Sequence, residues 1–129
     1  MNTRVITLIG IAVLATMVLL LHLVAYEYYF YWTIWWYDIV MHGLGGIVIA
    51  AFALWLWRYG LNSEKPVPSM FALTFLSTLA VGIAWEIFEY IAGSHATQPF
   101  DSYILDTILD IMMDIAGGMI AYLFLSKIP

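Results

Sequence analysis

No cysteine occurs in the 129 residues, which excludes disulfides and thiolate metal sites. Positive charge is nearly as scarce. Four Lys and Arg stand against nine Asp and Glu, a formal net charge of −5. A chain so poor in cations lacks the electrostatic footprint that nucleic acid or anionic headgroups require of a partner. Gly, Pro and Ser do not gather into low-complexity segments, and no internal repeat divides the chain. What is abundant is apolar: 64% of residues are hydrophobic and the mean hydropathy is +0.93. A soluble domain of this length could not bury so much apolar surface, so most of it must face lipid.

Four hydrophobic runs carry that surface, at about residues 5–25, 34–57, 69–92 and 102–126. Each exceeds the ~20 residues needed to cross a bilayer core. The first begins like a signal peptide, with Arg4 ahead of it. It is nevertheless long, contains His22 and lacks an A-x-A pattern, so a retained helix is expected. Asn62 to Pro68 and Gly93 to Pro99 break the pattern between later runs, and Asp101 suits an N-cap. Tyr26 to Trp32 and Trp35-Trp36-Tyr37 suit an aromatic interfacial belt. The expectation is an all-α membrane protein, one integral domain over 1–129, folded as an antiparallel bundle of four transmembrane helices.

Orientation follows from the bases. Arg4, Arg58, Lys65 and Lys127 all fall on one side of four crossings, which the positive-inside rule makes cytoplasmic. Both termini are then cytoplasmic, in a prokaryotic cytoplasmic membrane. The acids lie elsewhere. Asp38, Glu86, Glu89, Asp106, Asp110 and Asp114 all fall in the outer half, with His42 one turn below Asp38. Helical rise places Glu86 about 9 Å below the outer boundary, His42 and Asp110 about 12 Å, and Asp114 about 18 Å. Polar groups on helices of alternating direction therefore share one layer. Asp106, Asp110 and Asp114 stack on one face, and Gly45, Gly46, Gly82, Gly117 and Gly118 let that face pack inward.

An acid at mid-membrane costs roughly 2.5–3.5 kcal/mol on insertion scales, so this set must be neutralised or used. No Lys or Arg shares its half of the chain. Like charges in low dielectric cannot all ionise, so some carry protons and the rest call for cations. Carboxylates with imidazole form a ligand set for Mg²⁺, Mn²⁺, Fe²⁺ or Zn²⁺. The metal candidates are Asp38, His42, Glu86, Glu89, Asp106, Asp110 and Asp114, with His42, Glu86 and Asp114 as catalytic candidates. A protonated hydrogen-bond network and a purely structural role are the competing readings. His22 fits an interfacial histidine as well as a ligand, and His95 fits a solvated loop. Glu27 and Asp101 need only solvation or capping.

Tyr37-Asp38-x-x-x-His42-Gly43, Ala84-Trp85-Glu86-x-x-Glu89 and Asp106-Thr107-x-x-Asp110-x-Met112 followed by Gly117 resemble the YjdF-like inner-membrane proteins. More distantly, the pattern is similar to the VanZ-like family, whose members are linked to glycopeptide-antibiotic resistance. The resemblance spans roughly residues 37 to 125. It implies a small multi-pass membrane protein and supplies no reaction.

Two functional classes remain. One is a metal-dependent enzyme acting at the outer leaflet on a lipid or lipid-linked phosphate or amide, with metal-activated water. The other is a cation- or proton-binding transporter or sensor. Below Asp114 the chain offers only Thr16, Thr74, Ser77, Thr78 and glycines, which favours a one-sided site and hence the enzyme. Self-association into a homo-oligomer stays open. Cysteines substituted at Thr97 and Asn62 are expected to label from opposite sides of intact cells, Thr97 outside and Asn62 inside. Labelling of both from one side would overturn the topology.

Overall fold

In lipid every backbone N–H and C=O must be satisfied within the chain, and a run of Leu, Ile, Val, Ala and Met does this as helix. The computed structural model describes residues 2–60, 70–93 and 100–126, the side chains of residues 100 and 101 excepted. The described residues contain helices and no strand. Helix α1 covers Thr3–Glu27, and Asn2 caps it by accepting from the Arg4 amide at 3.1 Å. A four-residue helix α2, Phe30–Thr33, leads to α3, Tyr37–Trp55, which continues through a π turn at Leu56–Gly60. Helix α4 spans Met70–Ala92 and α5 spans Phe100–Leu125. Four of these are long and apolar enough to cross a membrane: α1, α3 with its π turn, α4 and α5. Glu64, Lys65, His95, Thr97 and Lys127 lie outside the described residues, as does the Asp101 side chain.

The chain between α1 and α3 has more structure than its hydropathy conveys. Tyr29 takes a left-handed conformation, φ 60°, which turns the chain out of α1 and starts α2. Tyr31 then packs edge-on against Tyr37, and the Tyr37 hydroxyl donates to the Leu21 carbonyl at 3.1 Å. These contacts fasten the connector over the ends of α1 and α3. Its other aromatics point outward, Trp35 being 84% exposed, as an interfacial belt requires.

Helices α3 and α5 share the most extensive interface, α4 packs against both, and α1 lies mainly along α3. The α3–α5 seam depends on missing side chains. A Cβ on Gly117 would collide with the Gly43 carbonyl, and one on Gly46 would collide with the backbone of Asp114. Without a hydrophobic force between helices in lipid, such backbone approach is what holds the pair. At the far end Arg58 donates to the Leu125 carbonyl at 3.2 Å, and Trp55 donates to the Arg4 carbonyl at 2.9 Å. Arg4 and Arg58 therefore lie together at one end of the bundle.

Gly117→Val is expected to part α3 from α5 and to cost about 1–3 kcal/mol or more, as overpacking does. Gly10, whose added Cβ meets nothing within 4 Å, supplies the control Gly10→Val. Thermal melts in detergent would show a drop for the first and none for the second. Equal melts would refute the role given to the glycine seam.

Candidate metal centre

His42 sits at the centre of the acid layer because α3 presents it one turn after Asp38 and one turn before Gly46. Where Gly46 lets the backbone of α5 approach, Asp114 arrives beside the imidazole. His42 Nδ1 lies 3.2 Å from Asp114 Oδ2. Nε2 lies 3.7 Å from Asp38 Oδ1 and 3.8 Å from Glu86 Oε1.

Glu86 reaches the layer from α4, where Gly82, one turn earlier, leaves room for the Asp114 carboxylate. One of its oxygens, Oε2, accepts from the Thr107 hydroxyl at 2.7 Å. The other, Oε1, is buried without a hydrogen-bond partner, and so is Oδ1 of Asp110. Asp110 is only 2% exposed. A buried, unpaired carboxylate oxygen carries a desolvation penalty with nothing to offset it, so two of them in one layer call for an explanation.

Two trios bring ligand atoms within 4.8 Å of one another: Asp38 with His42 and Asp110, and His42 with Glu86 and Glu89. His42 belongs to both. Separations of 3.7 and 3.8 Å are too long for hydrogen bonds. Donors that each stand about 2.0–2.2 Å from a shared ion are roughly 3–4 Å apart, and the His42 separations from Asp38 and Glu86 fall in that range. The Asp114–His42 pair repeats the carboxylate–histidine arrangement that orients metal-binding imidazoles.

Of the seven sequence candidates, Asp38, His42, Glu86, Glu89 and Asp110 supply atoms to these trios. Asp114 backs His42 from behind. Asp106 is half-buried one turn before Asp110, within electrostatic reach of Asp38, Glu86 and Asp110. His22 belongs to neither trio and faces the Tyr31 hydroxyl at 2.7 Å through Nδ1. Burial, reinforced by the nearby Asp38, pushes the Tyr31 phenol above its ordinary range and keeps it protonated. Sequence reading missed Thr107 and the Trp85 indole, which donates to Glu89 Oε1 at 3.0 Å. Thr107 could have been found, because it precedes Asp110 by three residues and Asp114 by seven, on the same helical face.

Two cavities flank the layer. One, of about 390 Å³, lies between α1, α3 and α4 and reaches Tyr31, Asp38, His42, Glu89 and Asp114. The other, of about 350 Å³, lies between α4 and α5 and reaches Glu86 and Thr107. The comparison with known families agrees with this membrane architecture, since residues 2–129 match the family described as predicted membrane protein (DUF2238). The chain belongs to that family. No curated protein and no solved structure matches it.

In chelator, Asp110→Asn is expected to leave the melting temperature unchanged or raised, since it removes charge from a carboxylate with an unpaired oxygen. Asp114→Asn is expected to cost about 1 kcal/mol, because it weakens a charge-assisted bond to His42. Melting curves of both variants test the assignment. Clear destabilisation by Asp110→Asn would mark Asp110 as a satisfied structural partner.

Proposed function

We propose that this membrane protein binds one or two divalent cations in the buried carboxylate–histidine layer, as the centre of a metal-dependent reaction on a lipid or lipid-linked substrate. The observation that carries the reading is the pair of oxygens without a hydrogen-bond partner, Glu86 Oε1 and Asp110 Oδ1, in the same layer as His42 Nε2. Oxygen donors with one imidazole suit Mg²⁺, Mn²⁺, Fe²⁺ or Zn²⁺. Such an ion would supply Lewis acidity and an activated water, while a carboxylate outside its ligand set would take the proton. His42, Glu86 and Asp114 are the residues assigned to that work. The resemblance to YjdF-like and VanZ-like proteins is consistent with a small multi-pass protein, and the site is assigned to the extracytoplasmic side of a prokaryotic cytoplasmic membrane.

Access favours an enzyme over a transporter. Beyond Asp114 the next polar groups are Thr78 and Thr74, both fully buried. Their hydroxyls donate to the carbonyls of Thr74 and Met70 at 2.9 and 2.8 Å, so neither offers an ion a relay. Gly118 is closed against the Thr78 side chain. Both flanking cavities instead approach the layer between helices, the direction from which a lipid arrives.

Protein purified gently is expected to retain one or two divalent ions per chain by elemental analysis. Asp110→Asn and His42→Ala should lose them, and Asp114→Asn should weaken binding about 10–100-fold, as loss of an outer-shell partner does. Protein free of metal that also shows no thermal shift with Mn²⁺, Zn²⁺ or Mg²⁺ would leave the protonated network as the better reading.

A further inference from the structure

The larger cavity shares Asp38 and Glu89 with the candidate cation centre and continues from them into an apolar slot. Its lining runs from Tyr31, Asp38 and Glu89 at one end to Ala15, Val48 and Ile49 at the other. By helical rise the wall from Asp38 to Ile49 is about 16 Å long, and that from His22 to Ala15 about 10 Å. The polar end thus lies beside the aromatic connector and the apolar end near mid-membrane. At about 390 Å³ the cavity falls toward the lower end of the usual ligand range, which suits one chain-shaped occupant.

The polar end is selective in charge. Asp38, Glu89 and Asp114 line the cavity, and no Lys or Arg does. Arg4 and Arg58 are held at the opposite end of the bundle through Trp55 and Leu125. The same end is walled by aromatic rings. His22 meets Tyr31 at 5.6 Å between centroids and Trp85 at 6.2 Å. Carboxylates beside Trp and Tyr rings are the chemistry that recognises an ammonium group, through charge and cation–π attraction together. An anionic head would meet three carboxylates against two imidazoles, of which His42 is already held by Asp114.

We propose that the cavity between α1, α3 and α4 binds a single-chain amphiphile with a cationic ammonium head, its head among Tyr31, Trp85, Asp38 and Glu89 and its chain along Val18, Val48 and Ile49. Because Asp38 and Glu89 also belong to the trios, an ammonium head and a divalent ion compete for them; the test therefore runs in chelator, and its failure would leave the cation centre standing. Protein reconstituted into phosphatidylcholine vesicles would be titrated with radiolabelled dodecyltrimethylammonium and, separately, dodecyl sulfate, subtracting uptake by protein-free vesicles. Saturable uptake of the ammonium is expected, at least about tenfold tighter than any uptake of the sulfate. Val18→Trp, which fills the cavity, should abolish it. Val13→Trp, on the lipid-exposed face of α1, should not. Glu89→Gln should weaken binding about tenfold. Unsaturable uptake, equal affinity for both heads, or undiminished binding by Val18→Trp would each overturn the proposal. An unchanged melting temperature of Val18→Trp protein in chelator would separate loss of the amphiphile site from loss of fold.

Discussion

Backbone-to-backbone approach of α3 and α5 is the constraint on which the rest of the molecule depends. Gly43 faces Gly117, and Gly46 faces the backbone of Asp114, with no side chain between. In water such a seam would be a minor supplement to a hydrophobic core. In lipid, where tails are as apolar as Leu, close packing of small residues is itself the association force. The fully buried apolar set is accordingly thin and mostly small, with Ala25, Ala50, Ala51 and Ala121 prominent in it. The seam also acts chemically. Drawing the α5 backbone against Gly46 places Asp114 beside His42, and the fixed imidazole then presents Nε2 to Asp38 and Glu86.

The same seam explains the unequal status of the helices. Helix α3 buries six of its residues, whereas α1 buries only Ile11 and Ala25. Helix α1 therefore behaves as a side wall, joined to the bundle along α3 and, beside the α2 connector, through the His22, Tyr31 and Trp85 rings. A side wall with few small residues at its contacts cannot close tightly, and the larger cavity lies where it stands off. Gly10, the only glycine of α1, has nothing within 4 Å of an added Cβ. The glycines that meet a neighbouring helix closely are those of α3, α4 and α5, which leaves room beside α1.

Much of this was legible from residue spacing. Long apolar runs announce spans because the bilayer allows little else, and an i, i+4, i+8 row of acids shows its face without any tertiary knowledge. Convergence of Asp38, His42, Glu86 and Asp110 followed from counting depth along antiparallel helices. What spacing could not resolve is how the partners divide their roles. Asp114 looks like Asp110 in the sequence, yet only Asp114 is brought against His42, because a glycine on another helix stands opposite it. The connector was read as a belt alone, since the left-handed turn at Tyr29 occupies a residue with no special liking for that conformation. Tertiary contacts of Tyr31 and Tyr37 hold it there, and those are invisible to a local pattern.

The remaining step concerns why such a layer persists in a membrane at all. A structural network can be built more cheaply from Ser, Thr, Asn and Gln, whose hydrogen bonds join helices without charge. The chain has such residues on hand, and Thr74 and Thr78, buried beside the acid layer, donate to carbonyls of their own helix. Around Asp114 it uses carboxylates instead, leaves two of their oxygens without a hydrogen-bond partner, and keeps both described arginines at the other end of the bundle. Lys and Arg are the groups that would offset such carboxylates permanently, and among the described residues neither lies in the layer. His42 is the one basic side chain described among these acids. The layer is therefore balanced through a single imidazole and through whatever protons or cations its carboxylates take up.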